Sequence, residues 1–137
     1  MNTVVSATTG YQRPGKAGQL LHQSAMLQRE AVAMLERGDI TVALEYAYRA
    51  ALRVAGAWVS QTPIARRVRK PQGVWAQLEL SGEAGQAWAR EFHPWSTLRA
   101  RASMGLEVDV DAAKVRALMS LVEDFAQAID GAAPMAA

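Results

Sequence analysis

Residues 20–60 read LLHQSAMLQREAVAMLERGDITVALEYAYRAALRVAGAWVS. Small and apolar side chains recur at Leu20, Ser24, Leu27, Ala31 and Met34, with Leu21, Val32 and Leu35 beside them, and this three-and-four spacing lines one helix face. It predicts a first helix from about Ala17 to Arg37. Gly38 supplies the expected stop, and Asp39 offers a carboxylate to cap the helix that follows. The second helix is expected from Ile40 to about Gln61, with Leu44, Ala47, Ala51, Val54, Ala55 and Trp58 inward. Its outer face carries Glu45, Arg49 and Arg53, the first two at a favourable i,i+4 spacing. A connection this short makes the two helices an antiparallel hairpin.

Working outward, residues 1–16 carry Thr, Ser, Gly and Pro without a helical period and read as a flexible N-terminal tail. After the hairpin, Thr62-Pro63 ends the second helix, because the residue before proline avoids helical torsions. Arg66-Arg67-Val68-Arg69-Lys70, closed by Pro71, reads as a basic loop. A short helix is expected from Gly73 with Val74, Trp75 and Leu78 apolar, and Ser81 is placed to cap a further helix bearing Ala84, Ala87, Trp88 and Phe92. His93-Pro94 is expected to break or kink that helix before Trp95, Leu98 and Ala102 continue the spacing to Gly105. Glu107 to Asp111 alternate acid and valine as a strand would, although Asp109 or Asp111 also makes a good cap. The last helix, about Val110 to Asp130, places Val115, Leu118, Val122, Phe125 and Ile129 on one stripe, and Gly131 and Pro134 are expected to end it. The reading is an all-α, up-and-down bundle of about five helices over residues 17–131, with a C-terminal tail at 132–137.

Composition narrows the chemistry. Among 137 residues are 27 alanines, which favour thin, closely packed helices, and no cysteine, which excludes disulfides, thiolate nucleophiles and cysteine-ligated metals. No run of about 18 apolar residues and no leader-like start is present, so neither membrane insertion nor secretion is expected, and a cytoplasmic location fits. The net charge of +2 is small, but residues 60–105 carry seven basic and three acidic side chains, and residues 106–137 carry two and six. The chain is therefore polarised along its sequence.

Gly10 to Ala17 matches a phosphate loop, G-x-x-x-x-G-K, at every fixed position but the last, where Ala17 lacks the oxygen that would hold magnesium. An all-helical chain also lacks the strand before it, so the stretch reads as tail. His22 and His93 have no partner at metal-ligand spacing, and structural roles are expected for both. Glu107, Asp109 and Asp111 lack the further oxygens of a calcium loop and fit capping instead. No cofactor or metal is expected. Trp58 and Trp88 read as core, whereas Trp95, Tyr46 and Tyr48 are candidates for an exposed groove or a dimer face. Arg66, Arg67, Arg69 and Lys70, with Arg90, Arg99 and Arg101, form the best candidate polyanion-binding set, and aromatics in the same half of the chain are suited to base stacking.

The order of these features resembles an actinobacterial branch of the HEPN superfamily, helical domains named for nucleotide binding in higher eukaryotes and prokaryotes. The likeness covers about Leu20 to Ile129. It rests on the first helix, on Ala43 to Arg53, on Arg66 to Lys70 followed by Val74-Trp75-Ala76-Gln77-Leu78, on Trp88 to Phe92, and on the closing amphipathic helix. The resemblance implies a bundle that often dimerises, in a superfamily of RNA-cleaving toxins, defence proteins and non-catalytic RNA-binding or partner-binding members. Catalytic members separate an Arg from a His by four to six residues. Here the matching positions hold Gln86, Ala87 and Trp88 before His93, and Gly15, Lys16 and Ala17 before His22. Arg90 stands only three residues before His93. The expectation is a non-catalytic, homodimeric module binding RNA, a nucleotide or another polyanion, with His93 and Trp95 as further candidate site residues. Two other readings remain: a protein-interaction module whose basic middle meets an acidic partner, and a degenerate ribonuclease using Arg90 and His93.

Overall fold

A computed structural model describes residues 15–136, with side-chain surroundings through Ile129. Most of the Gly10–Ala17 stretch and of the expected N-terminal tail lies outside the described residues. Among the described residues five α-helices follow one another: α1 Gly15–Arg37, α2 Ile40–Ser60, α3 Val74–Leu80, α4 Glu83–Ser103 and α5 Ala112–Ala136. A 3-10 turn, Pro63–Arg66, follows α2. No strand occurs among the described residues, so the alternation at Glu107 to Asp111 is loop. The architecture is the all-α, up-and-down bundle that the periodicity predicts.

The hairpin closes through Gly38, whose positive φ of 84° lets its own amide donate to Leu35 O and the Asp39 amide donate to Met34 O. Gly105 repeats this at the end of α4, with its amide on Ala102 O and the Leu106 amide on Arg101 O. Asp39 departs from expectation: at φ −86° and ψ 76° its carboxylate makes no capping bond, because the backbone is not in the extended form that folds a capping side chain back. Ser81 also does not cap α4. Its hydroxyl donates to Leu78 O and closes α3, and Gly82, at φ 121°, occupies the cap position instead. Asp111 does cap α5, accepting from the Lys114 amide at 2.9 Å.

Two further expectations are corrected. Helix α4 runs unbroken through His93 and Pro94, because Phe92, Trp95 and Leu98 anchor both halves to the core. Pro94 lies on the exposed side, so its ring displaces no core side chain, and the cost falls on the backbone: the Arg90 carbonyl loses its donor and the ring crowds the preceding turn. Helix α5 extends to Ala136, past Gly131 and Pro134.

Helix α2 is the central element, and buried Ala43, Ala47, Ala50, Ala51, Ala55 and Ala57 let its neighbours approach closely. Ser24 Oγ of α1 donates to Ala50 O across the hairpin. On the other side Trp75 stacks on Phe92 at 5.2 Å, Phe92 meets Phe125 at 5.3 Å, and Trp88 stacks on Phe125 at 4.8 Å. Trp58 joins Phe125 at 5.7 Å, so one aromatic cluster ties α2, α3, α4 and α5 together. Trp58 and Trp88 are core contributors, as expected. Tyr48 is not at an exposed face: it is buried, its hydroxyl accepting from Trp75 Nε1 at 2.8 Å and sharing a 2.7 Å hydrogen bond with Ser96.

Candidate functional site

The basic loop is held at its base and free at its tip. Ile64 packs on the core at one end, and Gln77 Nε2 donates to Pro71 O at the other. Lys70 Nζ reaches back to Ala65 O at 2.9 Å, closing the segment on itself. Between these anchors Arg66, Arg67 and Arg69 are exposed, and Val68 is 99% exposed, so the tip touches almost nothing. None of the four cations has a carboxylate within ion-pair distance among the described residues, where the ion pairs are Arg49–Glu45, Arg99–Glu45 and Lys114–Asp109. Their charge is offered to solvent.

The cations of α4 divide between outside and inside. Arg90 and Arg101 are exposed and eleven residues apart, about 16 Å along one outer stripe of the helix. His93 is exposed near Arg90, and its carbonyl accepts from Thr97 Oγ1. Trp95 is half-buried, packed against the core instead of forming an open stacking platform. Arg99 turns inward: Nε and Nη2 donate to the two Glu45 carboxylate oxygens at 2.8 and 2.9 Å, and the guanidinium lies over the Tyr48 ring at 5.1 Å. Arg49 Nε donates to the same carboxylate at 2.8 Å. The Arg99 hydrogen bonds, and then Arg49, hold the Glu45 carboxyl below the usual carboxylate range against the upward pull of burial. The same pair raises Arg99 above its ordinary value.

The structure therefore gathers Arg66, Arg67, Arg69 and Lys70 in one exposed loop and sets Arg90 and Arg101 on an outer helix stripe. Arg99 is withdrawn from that set by Glu45. No hydrogen bond or ion pair links the loop to Arg90, His93 or Arg101 among the described residues. Sequence reasoning missed the Glu45–Arg99 pairing, since the two are 54 positions apart and only the i,i+4 partner Arg49 was visible locally. No group of three metal-ligating side chains occurs among the described residues, and none of their helices is long and apolar enough to cross a membrane.

The described residues thus form a bundle of five helices around an alanine-lined central helix, with an Arg-rich loop between the second and third helices. Residues 28–130 match the model of the SAV_6107-like HEPN family, and the chain belongs to that family. No curated protein and no solved structure gives a significant match.

Proposed function

We propose that this HEPN protein is a non-catalytic module that binds RNA through the Arg66 to Lys70 loop, extended by Arg90 and Arg101. The carrying observation is the loop itself: Arg66, Arg67 and Arg69 surround a fully exposed Val68, with no carboxylate within ion-pair distance of them among the described residues. Cations in that state hold phosphates by releasing counterions, with no need for a shaped pocket. The loop's anchored base keeps the ordering cost low. Arg99 is left out of the binding set because Glu45 already neutralises it. The non-catalytic part of the reading rests on the spacing of Arg90 and His93, which sit one turn apart on α4.

Binding of the full chain to a mixed-sequence RNA at several salt concentrations tests this, with RNA integrity followed in the same samples. The expected result is affinity that falls steeply with salt and intact RNA. Neutralising Arg66, Arg67, Arg69 and Lys70 together is expected to weaken binding and to flatten the log-log salt slope by about 0.7 for each phosphate that the variant no longer neutralises. Absence of binding at low salt overturns the reading in favour of an acidic protein partner. Cleavage abolished by His93→Ala would instead restore an enzyme.

A further inference from the structure

Tyr48 is bonded to Ser96, and Glu45 to Arg99, so α2 steps back as α4 steps forward and the two helices are antiparallel. One further turn in the same register sets Thr41 and Val42 of α2 beside Ala102 and Ser103 of α4. The α4 side chains at that level are a methyl group and a hydroxymethyl group, the latter turned back to donate to Ala100 O. Neither is large enough to fill the space towards α2, and a hollow of about 440 Å³ opens there. Fully buried Leu44 is its floor, and Val42, 43% exposed, stands at its edge. Past its mouth α4 ends in Met104 and Leu106, both exposed. The opposite wall is charged: Glu45 is the one carboxylate lining the hollow and it faces two guanidiniums, Arg49 and Arg99. The three groups together carry one surplus positive charge. That surplus has free donors, because Glu45 takes Nε and Nη2 of Arg99 and Nε of Arg49. Both Nη groups of Arg49 and Nη1 of Arg99 make no hydrogen bond among the described residues.

We propose that this hollow binds a small organic acid, a carboxylate with an apolar body. The carboxylate accepts from the free Nη groups of Arg49 and Arg99, whose planar forks suit a two-oxygen acceptor. With Glu45 it makes two negative charges for two guanidiniums, which leaves the wall neutral. A dianionic phosphate would overshoot and leave a net negative charge in a partly desolvated place. The apolar body lies on Leu44 and Ala102 and takes Val42 out of water, which rewards a ligand that carries more than its charge. The volume falls within the roughly 300–1,000 Å³ of small-molecule sites, whereas a protein partner spreads over about 800 Å² of surface. The hollow lies towards the N-terminus of α2 and the basic loop follows its C-terminus, and they share no residue. Acid binding and RNA binding therefore stand or fall separately.

Calorimetric titration of the full chain with octanoate is the test, beside acetate, which lacks the apolar body, octanol, which lacks the charge, and octyl phosphate. Octanoate is expected to bind one to one, and the other three about tenfold more weakly or worse. Octanoate is also expected to raise the thermal midpoint, since it binds only the folded chain. Arg49→Gln removes the surplus charge and leaves Glu45 its two bonds from Arg99; it is expected to fold, by circular dichroism, and to bind octanoate about tenfold more weakly. Ala102→Leu fills the hollow with a good helix former and is expected to abolish both the heat and the midpoint shift. Neither heat nor a midpoint shift at millimolar octanoate overturns the proposal. So does equal affinity for octanol, or undiminished binding in either folded variant. Tighter binding of octyl phosphate overturns the choice of a carboxylate.

Discussion

Glu45 carries more of the structure than its half-exposed position in α2 suggests, since it is the shared acceptor for Arg49 on its own helix and Arg99 on α4. Its side chain is 25% exposed and that of Arg99 35%, which places the pair between a screened surface contact and a buried one. Glu45→Gln should then lower stability at neutral pH by about 1–2 kcal/mol, read as a reduced urea midpoint. The pH dependence has a definite sign. A carboxylate held low in the folded state contributes fully above the ordinary carboxylate range, and that contribution is lost as pH falls through the lowered value. Wild type and variant should therefore converge in acid. Equal midpoints at pH 7 would show that desolvation cancels the pairing. At this scale the sequence was legible where partners are local, as at Glu45 with Arg49 or at the Gly38 stop. It was illegible where they are distant: Tyr48 looks like a surface tyrosine until Ser96 and Trp75 arrive from α4 and α3 to satisfy its hydroxyl.

Among the elements, α4 shows tertiary packing overriding a local signal. Proline at position 94 removes one helical donor and its ring crowds the preceding turn, which in isolation favours a break. Phe92 on one side of it is fully buried against Trp75 and Phe125, while Ser96 on the other is bonded to Tyr48, so both halves are held in line. The helix persists at a cost. Pro94→Ala should recover roughly 3 kcal/mol of helix propensity, less about 1 kcal/mol for the greater freedom of the unfolded chain, for a net gain of about 2 kcal/mol. Thermal unfolding would register this as a higher midpoint. An unchanged or lower midpoint would mean that the helix bends at Pro94 and that the core is fitted to the bend. Three other helix boundaries followed their signals, because Gly38, Gly105 and Asp111 act through bonds to residues within one turn of themselves. Ser81 failed as a signal because its hydroxyl had a competing acceptor, Leu78 O, one turn behind it.

For the molecule as a whole, the span that marks the family is shorter than the span that folds. The matched region begins at Gln28, yet α1 begins at Gly15 and its first turns are part of the core. Ala17 and Ser24 are buried, Leu20, Leu21 and Leu27 pack against the central cluster, and Ser24 Oγ is bonded to Ala50 O. Gly56 is the receiving surface for Leu20: a methyl group there would come within 3.3 Å of Leu20 Cδ1, so the two helices are fitted to each other at this point. A chain that begins at Gln28, where the matched region begins, would expose that side of α2. Three partly buried leucines at about 1 kcal/mol each and one buried hydrogen bond at about 1 kcal/mol predict a loss of about 4 kcal/mol. Against a typical total of about 5–15 kcal/mol, this is enough to lower the thermal midpoint steeply or to leave the fragment only partly folded. Differential scanning calorimetry of 15–137 beside 28–137 measures it directly. Equal midpoints would show that the packing of α1 on α2 before Gln28 is dispensable, and that the bundle's stability resides in the aromatic cluster joining α2 to α3, α4 and α5.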